Sequence, residues 1–146
     1  MAKTPAMDRC PWAGTDPLYV QYHDEEWGVP HADERRLFEK LILEGFQAGL
    51  SWITILRKRE AFRRAFHTFD PERIVRYGEK DVARLMADAG IVRNKLKIEA
   101  TIDNARAYLK LRDRTTLAAF LWAQMENGPI LNRFASMKEL PAETVE

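Results

Sequence analysis

Residues 33–66, DERRLFEKLILEGFQAGLSWITILRKREAFRRAF, decide the fold. Their apolar residues recur at helical spacing, never with the alternation of a half-buried strand. A helix is expected to begin near Asp33, with apolar residues at helical spacing from Leu37 to Leu50, and Ser51 can cap a further helix through WITILRKREAFRRAF. In the first helix Leu37, Leu41 and Ala48 fall on one narrow stripe, the expected core face, and Glu44 projects from that same stripe.

The same reading extends in both directions. Upstream, Asp16 followed by Pro17 opens a short helix over DPLYVQYHDEEW. Downstream, Asp70-Pro71 restarts the chain, EKDVARLMADAG reads as a helix closed by Gly90, and Ile98, Ile102 and Ala105 share one face between Lys95 and Leu109. A last short helix covers TLAAFLWAQM. With no alternating run and no internal repeat, the expected architecture is all-α with short connections, and 146 residues suit one compact domain over 1–146.

Composition narrows the function classes. A hydrophobic share of 46% and a charged share of 31% are those of a folded globule. No apolar run approaches the ~20 residues of a membrane span, and MAKTPAMDR has no apolar core behind it, so a cytoplasmic protein is expected. Cys10 is the single cysteine, which excludes an intrachain disulfide framework. The net charge of +1 hides an asymmetry: residues 1–50 carry 5 basic against 9 acidic residues, residues 51–115 carry 16 against 9, and residues 116–146 carry 2 against 4. A basic middle between acidic ends can attract phosphate chains, although charged helix faces are commonly just solvated.

Three constellations carry chemistry. A carboxylate on an apolar stripe, Glu44, has two readings. Either it is a buried group satisfied by neighbouring donors, or it lines a pocket where a cationic ligand offsets the cost of burying it. Trp12, Tyr19, Tyr22, Trp27 and Trp52 crowd the first third of the chain. They are core, or they are the aromatic wall that a flat cationic ring needs for stacking and cation–π attraction. Cys10 and His23 suit zinc by type, but two donors are not a four-ligand site, and a small buried thiol beside a satisfied histidine explains them equally.

Across these residues and their flanks the chain resembles a known family, 3-methyladenine DNA glycosylase I. The matching stretches are MDRCPW at 7–12, DPLYVQYHDEEWGVP at 16–30, LEGFQAGLSWITILRKREAFRRAF at 43–66, FDP at 69–71 and DAGIVRNKLKIEATIDNARAYL at 88–109. The resemblance implies an all-α domain of the helix-hairpin-helix glycosylase type that flips an alkylated adenine out of double-stranded DNA and hydrolyses its N-glycosidic bond. It gives Glu44 the recognition of the methylated base and the catalytic role. Trp52, Tyr22, Trp12 and Trp27 become the aromatics around that base, with Tyr19 as a neighbour. Arg93, Lys95 and Lys97, with the Arg57-Lys58-Arg59 run, are candidate phosphate contacts, or else a solvated basic face.

The resemblance also implies a structural zinc, of which Cys10 and His23 would be half the ligands. It places the other two, and the DNA-gripping hairpin, beyond the end of this chain, because nothing after Met125 resembles a glycine-containing hairpin and LPAETVE reads as the start of a helix. Two expectations follow: an active glycosylase, or a shortened member that binds a base or a partner without turnover and self-associates through apolar surface.

Overall fold

The computed structural model describes residues 9–125 and 128–143, and among them every regular element is helical. They fall into two compact units, residues 9–31 with 128–143, and residues 32–125.

The first unit holds a 3₁₀ turn at Pro11–Ala13, helix α1 (Pro17–Glu25) and a 3₁₀ turn at Met137–Glu139. Asp16 starts α1 as expected, its carboxylate accepting from the backbone N–H groups of Leu18 and Tyr19 at 3.0 and 3.2 Å. Gly128 to Pro141 is mostly irregular, with Leu131 88% exposed. Of the helix expected at LPAETVE, residues 140–143 are not helical and the remainder lies outside the described residues.

The second unit holds α2 (Glu34–Gln47), α3 (Trp52–Ala65), α4 (Pro71–Ile74), α5 (Glu79–Ala87), α6 (Lys95–Arg112) and α7 (Leu117–Trp122). Helix α6 packs against α2, α4, α5 and α7, and presents Ile98, Ile102 and Ala105 to the core on the expected face. No described helix is long and apolar enough to cross a membrane.

The core face of α2 differs from the expected one. Phe38, Ile42, Leu43 and Phe46 are buried, whereas Leu41 is 47% exposed and Ala48 lies exposed beyond the helix. The helix carries two apolar stripes about 100° apart, and periodicity weighs them alike. Packing does not: Leu37 of the expected stripe does pack against the core, but two phenylalanines and an isoleucine bury more apolar surface than two leucines and an alanine. Phe46 closes on Phe62 of α3 with ring centroids 4.7 Å apart, which rotates the Glu44 stripe away from the core.

Two connections differ as well. Helix α5 ends at Ala87 rather than at Gly90, and α7 stops at Trp122. Gly90 sits instead in the tight connection from α5 to α6. A Cβ there would lie 2.9 Å from Asp88 Oδ1 and 3.0 Å from the Ala61 side chain of α3, so glycine is required by close approach. Residues 79–112 thus form a helix, a glycine-containing hairpin and a helix.

Candidate base-recognition site

The turn between α2 and α3 builds the first part of the site. Gly49 adopts φ +79°, a left-handed conformation that lets the chain reverse directly after α2. Leu50 N–H closes the turn onto the Gln47 carbonyl at 2.6 Å. Lys97, from α6, donates to the carbonyl oxygens of Phe46 and Ala48 at 2.9 and 2.6 Å. A cation on the last carbonyls of a helix satisfies them and complements the negative helix end. Ser51 occupies the cap position of α3 without bonding its backbone, its Oγ meeting Thr54 Oγ1 at 2.7 Å instead. Trp52 is thereby set at the first position of α3, across the turn from Glu44.

Glu44 is not the buried carboxylate that the stripe implies. Its side chain is 48% exposed, a consequence of the rotation of α2 described above. Nor does its position favour a structural role, since a negative charge in the last turn of a helix opposes the macrodipole. It pairs with Lys40, one turn earlier, with Nζ 3.0 Å from Oε1, and lysine preceding glutamate is the weaker orientation of such a pair. The same Nζ stands 3.7 Å from the centroid of the Trp52 ring. A carboxylate and an indole face thus hold one ammonium between them. Chemically this is a site for a cation that is flat or compact and exposed enough to exchange.

The aromatic residues of the N-terminal unit form a second grouping. Trp12, in the first 3₁₀ turn, is the hub: its ring centroid lies 5.0 Å from Tyr19, 6.5 Å from Tyr22, 5.1 Å from His23 and 5.2 Å from Trp27. Tyr22 is buried and Trp27 is 50% exposed. Four aromatics singled out in the sequence are therefore brought together, and His23 joins them by stacking on Trp27 at 5.5 Å. Spacing gave no sign of that contact, because it depends on how the turn at Pro11–Ala13 folds Trp12 onto α1.

Cys10 and His23 also meet. The backbone N–H of Cys10 donates to His23 Nε2 at 3.3 Å, while His23 Nδ1 lies 2.9 Å from Asp24 Oδ1. A carboxylate only accepts, so Nδ1 carries the proton and Nε2 the lone pair. Asp24 is in turn clamped by Arg9, whose guanidinium holds its carboxyl down at about 2, with His23 adding to the effect. Such a carboxylate–histidine arrangement orients a ligand for zinc. Among the described residues, however, no group of three or more His, Cys, Asp or Glu side chains could hold a metal ion. Two donors do not make a tetrahedral site.

The basic candidates separate. Lys97 spends its ammonium on the end of α2, and Lys58 bonds the carbonyls of Ala89 and Gly90 at 3.1 and 3.4 Å, pinning the hairpin to α3. Lys95 pairs loosely with Glu99 at 3.7 Å, and Arg93 is exposed on the hairpin. The charge expected to meet phosphate is thus partly structural. The sequence has no marker for this, because the acceptors are backbone carbonyls, which every residue supplies.

Comparison with known proteins agrees with this architecture. A family model described as methyladenine glycosylase matches residues 12–146. The DNA-3-methyladenine glycosylase 1 of Escherichia coli K12 is 48% identical over 139 residues, covering 94% of this chain and 74% of that protein. A crystal structure of 3-methyladenine DNA glycosylase I superimposes with a TM-score of 0.91 at 49% identity, over 94% of this chain and 76% of the other. A Staphylococcus aureus structure concerned with 3-methyladenine recognition aligns at a TM-score of 0.76 and 42% identity, over 81% of this chain and 63% of that one.

Proposed function

Because this chain belongs to the methyladenine glycosylase family, we propose that it excises 3-methyladenine from alkylated DNA, with Glu44 and Trp52 recognising the base. The observation that carries the assignment of these two residues is the ammonium they already share. A group that binds one cation by a carboxylate and an indole face suits another, and 3-methyladenine attached to deoxyribose is cationic.

The reaction needs little acid catalysis. Cleavage sends the electron pair of the N-glycosidic bond onto a positively charged base, which leaves neutral. The sugar passes through an oxocarbenium-like state that water captures at C1′, yielding an abasic site and a released proton. The protein's task is to bind the unstacked cationic base and hold it. Glu44 accepts hydrogen bonds from its edge and balances its charge, and Trp52 stacks on its face. Within the N-terminal unit, the cluster of Trp12, Tyr19, Tyr22 and Trp27 is itself an aromatic surface on which an unstacked base can stack. Unmodified adenine lacks the charge and is a poor ligand.

DNA itself is gripped at the hairpin between α5 and α6. Its fixation to α3 by Lys58, which bonds the Ala89 and Gly90 carbonyls, supports this reading, as does the exposure of Arg93 before α6 and of Lys95 at its start. Contacts of that kind position the duplex and carry no sequence preference.

The test is release of 3-methyladenine from methylated DNA by the full chain, with Glu44→Gln and Trp52→Ala beside it. Release that falls at least 10-fold in both variants supports the assignment. Release unaffected by either removes Glu44 and Trp52 from the base site.

A further inference from the structure

We propose that Lys40 is a charge-selecting residue of the base site. Its ammonium occupies Glu44 and the Trp52 face until a cationic base displaces it, and it returns once the base has become neutral. The proposal rests on the reading of Glu44 and Trp52 as base-recognition residues given above.

The geometry is that of an internal ligand. Lys40 Nζ lies 3.0 Å from Glu44 Oε1 and 3.7 Å from the Trp52 ring centroid, so one positive charge touches both groups that a cationic base would use. Lys40 and Glu44 are 39% and 48% exposed, so their pair is screened and exchangeable. A long lysine stem near solvent changes rotamer in picoseconds to nanoseconds, and displacement requires no backbone motion.

Consider what each ligand must exchange. A neutral purine that stacks on Trp52 expels the ammonium and leaves the carboxylate uncompensated. A cationic purine expels it and restores the charge it removed. Lys40 therefore penalises neutral bases and is nearly indifferent to cationic ones, which converts a stacking site into one that reads charge. The same exchange runs backwards after hydrolysis. The bond pair has moved onto the base, the base no longer offers a charge to Glu44, and Lys40 regains its partners as the product departs.

Free 3-methyladenine is neutral near pH 7, so it probes this competition directly. Its affinity is measured by calorimetric titration of the full chain carrying Lys40, Lys40→Met, Lys40→Gln or Lys40→Arg, each checked for its far-UV spectrum and melting temperature. Glu44→Gln and Trp52→Ala are titrated alongside. Removal of the charge in Lys40→Met and Lys40→Gln is expected to tighten free-base binding by about 3- to 10-fold, while Lys40→Arg stays near the parent. Excision by the two neutral variants then shows a larger gap between the single-turnover rate and the slower multiple-turnover rate, because product is retained. If the neutral variants bind no tighter while Glu44→Gln and Trp52→Ala bind more weakly, the role of Lys40 is overturned and the base site stands. If Glu44→Gln and Trp52→Ala leave binding unchanged, the base site falls and the role of Lys40 falls with it.

Discussion

Lys97 Nζ lies 2.6 Å from the carbonyl oxygen of Ala48, so a residue of α6 holds the turn that sets Glu44 opposite Trp52. Lysine 97 is thus a positioning residue, acting through the end of α2. Substitution Lys97→Met removes two charge-assisted hydrogen bonds and leaves the Phe46 and Ala48 carbonyls without that donor. A loss of about 1–3 kcal/mol in urea unfolding is expected, together with weaker binding of 3-methyladenine. A variant that lost affinity for methylated DNA while keeping its stability and its affinity for free base would show instead that Lys97 meets phosphate.

Glu34 has a comparable task at the other end of the same helix. Its carboxylate accepts from the backbone N–H groups of Leu117 and Ala118 at 2.9 and 2.7 Å and from the Tyr108 hydroxyl at 3.2 Å. Glu34→Ala removes the acceptor for the first turn of α7, with an expected cost of about 1–3 kcal/mol by thermal unfolding. Burial chiefly, and Glu34 secondly, hold the Tyr108 hydroxyl above its ordinary value, so Glu34→Gln is expected to lower it in a spectrophotometric titration. No change in either quantity would mean that α7 is capped in another way.

Asp24 supplies a pH dependence with a definite sign. Its carboxyl sits at about 2 in the folded chain, below its ordinary 3.8, held down first by Arg9 and then by His23. Between those values the unfolded chain binds more protons, so stability from this group rises with pH across the window. It is complete above about pH 4 and lost as pH falls through about 2. In a carbon-detected titration Arg9→Met is expected to move the Asp24 midpoint upward. An unmoved midpoint would show that the Arg9 pair does not persist in solution.

Gly90→Ala tests the hairpin. The new methyl meets Ala61 at 3.0 Å and Asp88 Oδ1 at 2.9 Å, so the hairpin must shift away from α3. A cost of about 1–3 kcal/mol is expected, with weaker DNA binding. Ala61→Gly in the same chain relieves the first contact and is expected to recover part of the loss. Equal stability of single and double variants would place the strain elsewhere.

How much of this was legible beforehand depended on whether the signal was local. Asp16, Asp33 and Asp70 each accept from a backbone N–H two or three residues on, so caps mark where α1, α2 and α4 begin. Helical spacing likewise chose Ile98, Ile102 and Ala105 correctly, and all three are buried in the core. On α2 the same rule chose a stripe of which only Leu37 packs against the core, since two were available and Phe62, arriving from α3 against Phe46, breaks the tie.

The sequence by itself determined that this chain is helical, where most of its helices start, and which residue types could read a cationic base, because capping and periodicity act within a few residues of backbone. Tertiary structure alone decided that Glu44 is exposed, that Lys40 shares it with Trp52, and that Lys97 and Lys58 bond carbonyls. The physical reason is that a side chain's burial and partners are set by what packs against its helix, and a backbone carbonyl that accepts from a distant lysine has no residue type to announce it.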